Sequence, residues 1–380
     1  MRIYLDNAAT TPLLPEVIET MTEVLTNTYG NPSSLHAEGR NARAIIEEAR
    51  KVVAKAIGAS IGEIFFTSGG TESNNMALKC AVRDLGVKRI ISSPIEHHCV
   101  LHSLESLQKK ENVEVKLLPV NKNGVIDLKV LEKWLTESDV KTLVSLMHSN
   151  NEIGTMIDLD AVAEICHTHQ AFFHTDTVQT IGYFPIDVSH EKISFLSGSA
   201  HKFHGPKGIG FIYINHENII NPFVDGGSQE RNMRGGTENI VGIAGLASAL
   251  KYSIDHMEEH KTYITGLKSY FREQLTKEFS DIQFMGDDQG LNHYKVLNVS
   301  FPPSPKASLL LLSLDIAGIS ASGGSACSSG AETGSHVLAA LNVAPDRKNI
   351  RFSFSHLNTI EEIDQVIEKL RTILKKALVA

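Results

Sequence analysis

The stretch SLHAEGRNARAIIEEARKVVAKAIG carries apolar side chains at Ala42, Ile45, Ile46, Ala49, Val52, Val53 and Ala56, the recurrence of one helical face, and so predicts a long amphipathic helix. Beyond it the pattern switches repeatedly. EIFFTSG predicts a strand closed by a glycine turn, TESNNMALKCAVRD a helix, RIISSP a strand, HHCVLHSLESLQ a helix and VEVKLLPV a strand. LKVLEKWL, KTLVSLMHS, DLDAVAEICHTHQ, AFFHTD, ISFLSGS and GIGFIYI continue the alternation. Alternation of this kind predicts an α/β fold with a mainly parallel central sheet covered by helices. Ligands of such sheets gather beyond the carboxyl ends of the strands.

After Asn239 the run VGIAGLASALKYSIDHMEEHKTYITGLKSYFREQL holds no proline and predicts one long helix reaching toward Phe279. KVLNVSFP, SLLLLSLDIAGI, IRFSFS and the closing helix TIEEIDQVIEKLRTILKKAL predict a smaller α+β domain. We therefore expect a large domain over residues 15–256 and a small one built from 1–14 and 257–380.

A chain of 380 residues is long enough for that division. With 42% hydrophobic and 21% charged residues it has the composition of an ordinary globular protein. A formal charge of -8 leaves no basic footprint, so neither nucleic acid nor an anionic membrane is expected as a partner. MRIYLDNAATTPLLP lacks the basic and apolar regions of a secretory signal, and SLLLLSLDIAGI is interrupted by Asp315, so a cytoplasmic location is expected. Cys80, Cys99, Cys166 and Cys327 are dispersed without metal-ligand spacing, and no metal is expected. The first three sit in apolar or helical surroundings and read as core thiols. Cys327 lies instead in the Gly/Ser-rich stretch ASGGSACSSGAETGS.

SGSAHKFHGPKGIG puts Lys202 at the mouth of an apolar strand, where a lysine is costly unless paired or chemically used. Asp176 of HTDTVQT ends another apolar strand; alone, it reads equally as a helix cap or half of an ion pair. SGGTESNN is a strand end, a glycine turn and a helix start, which suits a phosphate or plain capping. HGPKG lacks the spacing of a nucleotide P-loop. Together, a strand-end lysine, a strand-end aspartate and a phosphate-type turn are the parts of a pyridoxal phosphate site. The lysine carries the cofactor as a Schiff base, the aspartate keeps the pyridine nitrogen protonated, and the helix start takes the phosphate.

At these residues the chain resembles the cysteine desulfurases, class V members of the fold type I pyridoxal phosphate enzymes. YLDNAATTP, NPSSLH, SGGTESNN, EHHCV, NNEIGT, DTVQ, SAHKFHGPKGIG, RGGTEN, SGGSACSSG and IRFSFS carry the resemblance in this order over nearly the whole chain. It implies that Lys202 holds pyridoxal 5'-phosphate and that Asp176 pairs with the ring nitrogen. By the same resemblance His97 stacks on the ring and Gln179 bonds the ring oxygen. Gly70, Thr71, Ser199 and His201 hold the phosphate, with Thr237 joining from the second subunit of a homodimer. Asn151 and Arg351 bind the carboxylate of the substrate, L-cysteine. Arg351 alone reads equally as a structural ion-pair residue, although a planar fork suits a carboxylate.

Cys327 sets the reaction that the resemblance implies. In the family this cysteine takes the substrate's sulfur as a persulfide, leaves alanine, and passes the sulfur to an acceptor such as an iron-sulfur scaffold protein. Another reaction on the same scaffold, an aminotransferase or selenocysteine lyase, and a non-catalytic scaffold that keeps the fold are the rival readings. AETGS follows the cysteine stretch where the family pattern carries a leucine-glutamate-proline type sequence, so the acceptor is left unassigned.

Overall fold

The computed structural model describes residues 2–190, 192–323 and 334–375. A short strand β1 (Ile3–Tyr4) precedes the seven strands of the central sheet: β2 (Ile64–Thr67), β3 (Arg89–Ser92), β4 (Glu114–Leu117), β5 (Thr142–Ser145), β6 (Phe172–Asp176), β7 (Phe195–Ser199) and β8 (Gly210–Ile214). Their order is β2-β8-β7-β6-β5-β3-β4, and β8 alone runs against its neighbours. Helices cover the sheet, so its inner strands β3, β5 and β7 are buried along their whole length. Gly198 on β7 must be glycine because a Cβ there would lie 2.3 Å from the ring of Phe211, its register partner on β8. The α/β class and the mainly parallel sheet agree with the sequence pattern.

Strands β9 (Gln283–Met285), β10 (Val296–Phe301) and β12 (Lys348–Ser353) form an antiparallel sheet in the order β12-β10-β9. Between them β11 (Ile319–Ser320) pairs in parallel with β1, which draws the amino terminus onto this second unit. The chain then crosses to the central sheet. Asn7 and Ala8 are tied to Ser353, and the carbonyls of Ala8 and Ala9 reach the carboxyl end of β7.

The run after Asn239 is not one helix but two, Ile240–Asp255 and Met257–Glu278, divided at His256, whose φ of −113° and ψ of 12° leave the helical region. The buried faces explain the break. The first helix packs on helices Pro15–Asn27 and Ala37–Ala56, while the second buries Ile264, Leu267, Phe271 and Leu275, with Phe271 edge-on to Phe352 and Phe354 beside the small sheet. One straight helix cannot present its apolar stripe in both directions. Among the described residues no helix is long and apolar enough to cross a membrane.

Candidate active site

Strands β2, β3, β5, β6 and β7 send their carboxyl ends to one edge of the central sheet, and a cavity of about 240 Å³ opens there. Of the residues singled out from sequence, Gly70, Thr71, His97, Asn151, Asp176, Gln179, Ser199, His201, Lys202 and Arg351 all line it. Thr237 does not. It faces a separate recess shared with Ser68, Arg234 and Glu238.

Lys202 closes a short 3-10 turn, Ala200–Lys202, directly after β7. Its Nζ donates to the carbonyl oxygens of Ala8 at 2.8 Å and Ala9 at 2.7 Å. Its own carbonyl accepts the Tyr183 hydroxyl at 2.9 Å, with Lys295 Nζ at 3.4 Å. The backbone at the base of the lysine is therefore fixed from two sides, while the amine rests on neutral acceptors.

Asp176, 7% exposed, ends β6 next in the sheet. Oδ1 accepts the Val178 N–H at 2.9 Å, the local turn expected of an aspartate, and Oδ2 accepts Asn74 Nδ2 at 2.6 Å. His97 lies across the cavity as the N-cap of helix His98–Glu111, its Nδ1 accepting the Cys99 N–H at 3.2 Å. Burial pushes the pKa of His97 down; Asp176 opposes this and Lys202 reinforces it, so the ring is held neutral.

The other end of the cavity is built for an anion. Helix Gly70–Leu85 begins after Gly69, which has a φ of 147° and supplies no side-chain cap, leaving first-turn amides open. A Cβ on Gly70 would lie 2.5 Å from Val178 Cγ2, so only glycine lets the helix start sit so close to the β6 turn. Ser199 and His201 stand beside it. Burial, then the charge of Lys202, pushes His201 down to about 3, so its imidazole is neutral in the absence of a bound anion.

At the far end Arg351 is 1% exposed. Its guanidinium donates to the Asn151 carbonyl at 2.9 Å and to Asp6 Oδ1 at 2.8 Å, and its Nε–H has no partner among the described residues. Cys327 lies outside the described residues, but the chain on both sides of 324–333 is anchored at this end. Ser322 exchanges backbone hydrogen bonds with Arg351 at 2.7 and 3.2 Å. Ser335 Oγ donates to Glu152 Oε2 at 2.5 Å, and His336 Nε2 donates to the Glu96 carbonyl at 2.9 Å. Arg351, Glu152 and His336 all line the cavity.

The model of the aminotransferase class-V family matches residues 3–366. The chain belongs to that family. It is 44% identical over 382 residues to a protein named cysteine desulfurase IscS from Dictyoglomus turgidum, covering 98% of this chain and 96% of that one. Among solved structures it resembles a NifS-like protein with a TM-score of 0.91 at 36% identity, covering 99% of this chain and all of that one. It also resembles a structure titled SspA in complex with cysteine, with a TM-score of 0.79 at 30% identity, covering 93% of this chain and 99% of that one. Within the class V family the chain is a pyridoxal phosphate enzyme of the cysteine desulfurase group.

The residues present fit that cofactor. Asp176 offers a carboxylate, Lys202 an amine and the Gly70 helix start an uncapped anion site. One reading needs correction. Cys99 is not a bland core thiol but lines the cavity, because the N-cap at His97 starts its helix at the sheet edge and turns the thiol inward; Cys80 and Cys166 are buried. Asn74, Glu152 and His336 also line the cavity and were missed from sequence. Asn74 carried a faint signal, an amide one turn into the helix that SGGTESNN begins. Glu152 and His336 carried none.

Proposed function

We propose that this enzyme converts L-cysteine to L-alanine, places the sulfur on Cys327 as a persulfide, and passes it to an acceptor protein such as an iron-sulfur scaffold. The observation that carries the reading is the anchoring of Ser322 and Ser335 to Arg351 and Glu152, which ties both flanks of the cysteine stretch to the cavity that holds Lys202 and Asp176.

Bound there, pyridoxal phosphate supplies the electron sink that weakens bonds around the substrate's α-carbon. The chain's own residues do the rest. Asp176 holds a proton at the ring nitrogen, the Gly70 helix start, Ser199 and His201 hold the phosphate, and Lys202 moves the α-proton. Arg351 meets the substrate carboxylate with its fork, and Asn151 helps to orient it. The Cys327 thiolate attacks the substrate sulfur: a sulfur–sulfur bond forms, the carbon–sulfur bond breaks, and its electron pair goes to carbon, which is protonated to give alanine. Carbon is reduced and Cys327 oxidised, so no outside oxidant is needed. Incubating the pure enzyme with cysteine should yield alanine; a keto acid as product would favour the aminotransferase reading.

The active site is shared between two copies. Thr237 faces away from its own cavity, and the segment before it is built to stay in place. Glu230, Arg231 and Asn232 hold φ of 43°, 55° and 66°, a left-handed turn that costs about 1–3 kcal/mol per residue. The Arg50–Glu230 pair, buried and bidentate at 2.7 and 3.0 Å, offsets that strain. Helix Ile240–Asp255 follows Thr237 and packs on helix Pro15–Asn27, where Leu25, with Tyr29 and Leu35 just beyond, leaves apolar surface exposed. A second copy related by two-fold symmetry would cover it. When Lys202→Ala and Thr237→Ala chains, each impaired, are combined as heterodimers, one site inherits both defects and the other neither. Activity should return to roughly half per heterodimer. No recovery in verified heterodimers would place Thr237 in its own chain's site.

The division into 15–256 and 1–14 with 257–380 is part of this proposal, as is a cytoplasmic setting. The break at His256 falls where the chain passes from helices on the central sheet to the helix beside the small sheet.

A further inference from the structure

Asp176 reaches the cavity at the end of a polar chain that begins two residues earlier on the same face of β6, at His174. The Asn74 amide nitrogen donates to Asp176 Oδ2 at 2.6 Å. That fixes Asn74 Oδ1 toward His174 Nε2, 3.1 Å away. Nε2 therefore carries the proton. Nδ1 is bare and accepts from Ser145 Oγ at 2.9 Å, while Ser197 Oγ, 3.3 Å from Nε2, is a weaker second acceptor. His174 is fully buried, and burial pushes it down to about 3, so it stays neutral at any working pH. The second Asn74 N–H points at Cys99 Sγ, 3.2 Å away. The Cys99 thiol is left to donate to His97 Nδ1 at 3.0 Å, beside the Cys99 backbone N–H. With the Cys99 backbone N–H donating to Nδ1, the neutral His97 carries its proton on Nε2.

We propose that Asn74, held by His174, is a positioning residue that sets both the Asp176 carboxylate and, through Cys99, the orientation of the His97 ring. This rests on the reading that Asp176 faces the cofactor ring. One amide thus touches the groups on two sides of the cavity, Asp176 and Cys99. His174, buried on the same sheet face, acts through Asn74.

The test is a double-mutant cycle on cofactor binding, read by equilibrium dialysis of the full-length protein against graded pyridoxal 5'-phosphate. Asn74→Ala removes a hydrogen bond to a charged group and should weaken binding roughly 10- to 100-fold. His174→Leu should weaken it in the same direction, His174→Gln, which keeps a donor toward Asn74 and an acceptor toward Ser145, should largely restore it, and Asn74→Ala/His174→Leu should be no worse than Asn74→Ala alone. Effects that multiply, or an Asn74→Ala protein that binds normally, would overturn the proposal. Asp176→Ala separates the two readings. If it binds normally, the placement of Asp176 fails; if it binds weakly while the other effects multiply, only the role of Asn74 fails. Should the variants not fold, nitrogen-15 histidine NMR of the unaltered protein decides the matter, because the His174 proton must sit on Nε2, and a proton on Nδ1 contradicts the chain of bonds.

Discussion

Lys202→Ala is expected to lower turnover with cysteine by roughly 10,000-fold or more, since in the proposed mechanism it removes at once the covalent tether of the cofactor and the base at the substrate α-carbon. The rival lysine is close by. Lys295, 0% exposed, packs its Nζ 3.8 Å from the Tyr183 ring centroid, and burial together with the charges of Lys202 and Arg351 pushes its pKa well below the usual lysine range. A lysine with that character would be a fair nucleophile if it could be reached, but it does not line the cavity. Borohydride reduction of the holoenzyme followed by peptide mapping should therefore place the pyridoxyl group on Lys202. An adduct on Lys295, or a Lys202→Ala enzyme with substantial turnover, would contradict the assignment.

Cys327→Ser should separate cofactor chemistry from sulfur transfer. A hydroxyl at this position is far too weakly acidic to attack sulfur, whereas everything that holds the cofactor belongs to other segments. The variant should keep its bound pyridoxal phosphate and change its absorption spectrum when cysteine is added. Alanine formation and protein-bound sulfur should fall to background. Preserved alanine production would identify a different sulfur acceptor in the site. Cys99 is the alternative thiol on the cavity wall, but burial, reinforced by Asp176, pushes it up to about 12, which leaves it protonated and unreactive at neutral pH.

Lys202 and Asp176 could be found from sequence because each puts a charge at the end of an apolar strand, a local conflict visible in a few residues. Gly70 and Thr71 were legible as a turn, and the proposal of a phosphate site there needed the other two parts beside them. His97 and Gln179 have no such signature and came only with the family resemblance. The Arg351 end of the cavity was hidden for a different reason. Arg351, Asp6, Asn151, Ser322 and Ser335 meet across separations of up to 345 residues, and no local pattern encodes that convergence. The helix break at His256 was missed because neither glycine nor proline marks it; opposed burial on two packing surfaces makes it. Cys99 was misread because HHCVL gives a thiol apolar neighbours in sequence, whereas the N-cap at His97 turns it toward polar ones in space.

The most direct test of the central claim is a single turnover of the holoenzyme with one equivalent of L-cysteine, quenched with a thiol-blocking reagent and mapped by mass spectrometry. The account predicts one alanine per active site and one added sulfur atom on the peptide that contains Cys327. Alanine without sulfur on that peptide, or sulfur found on Cys99 instead, would contradict it.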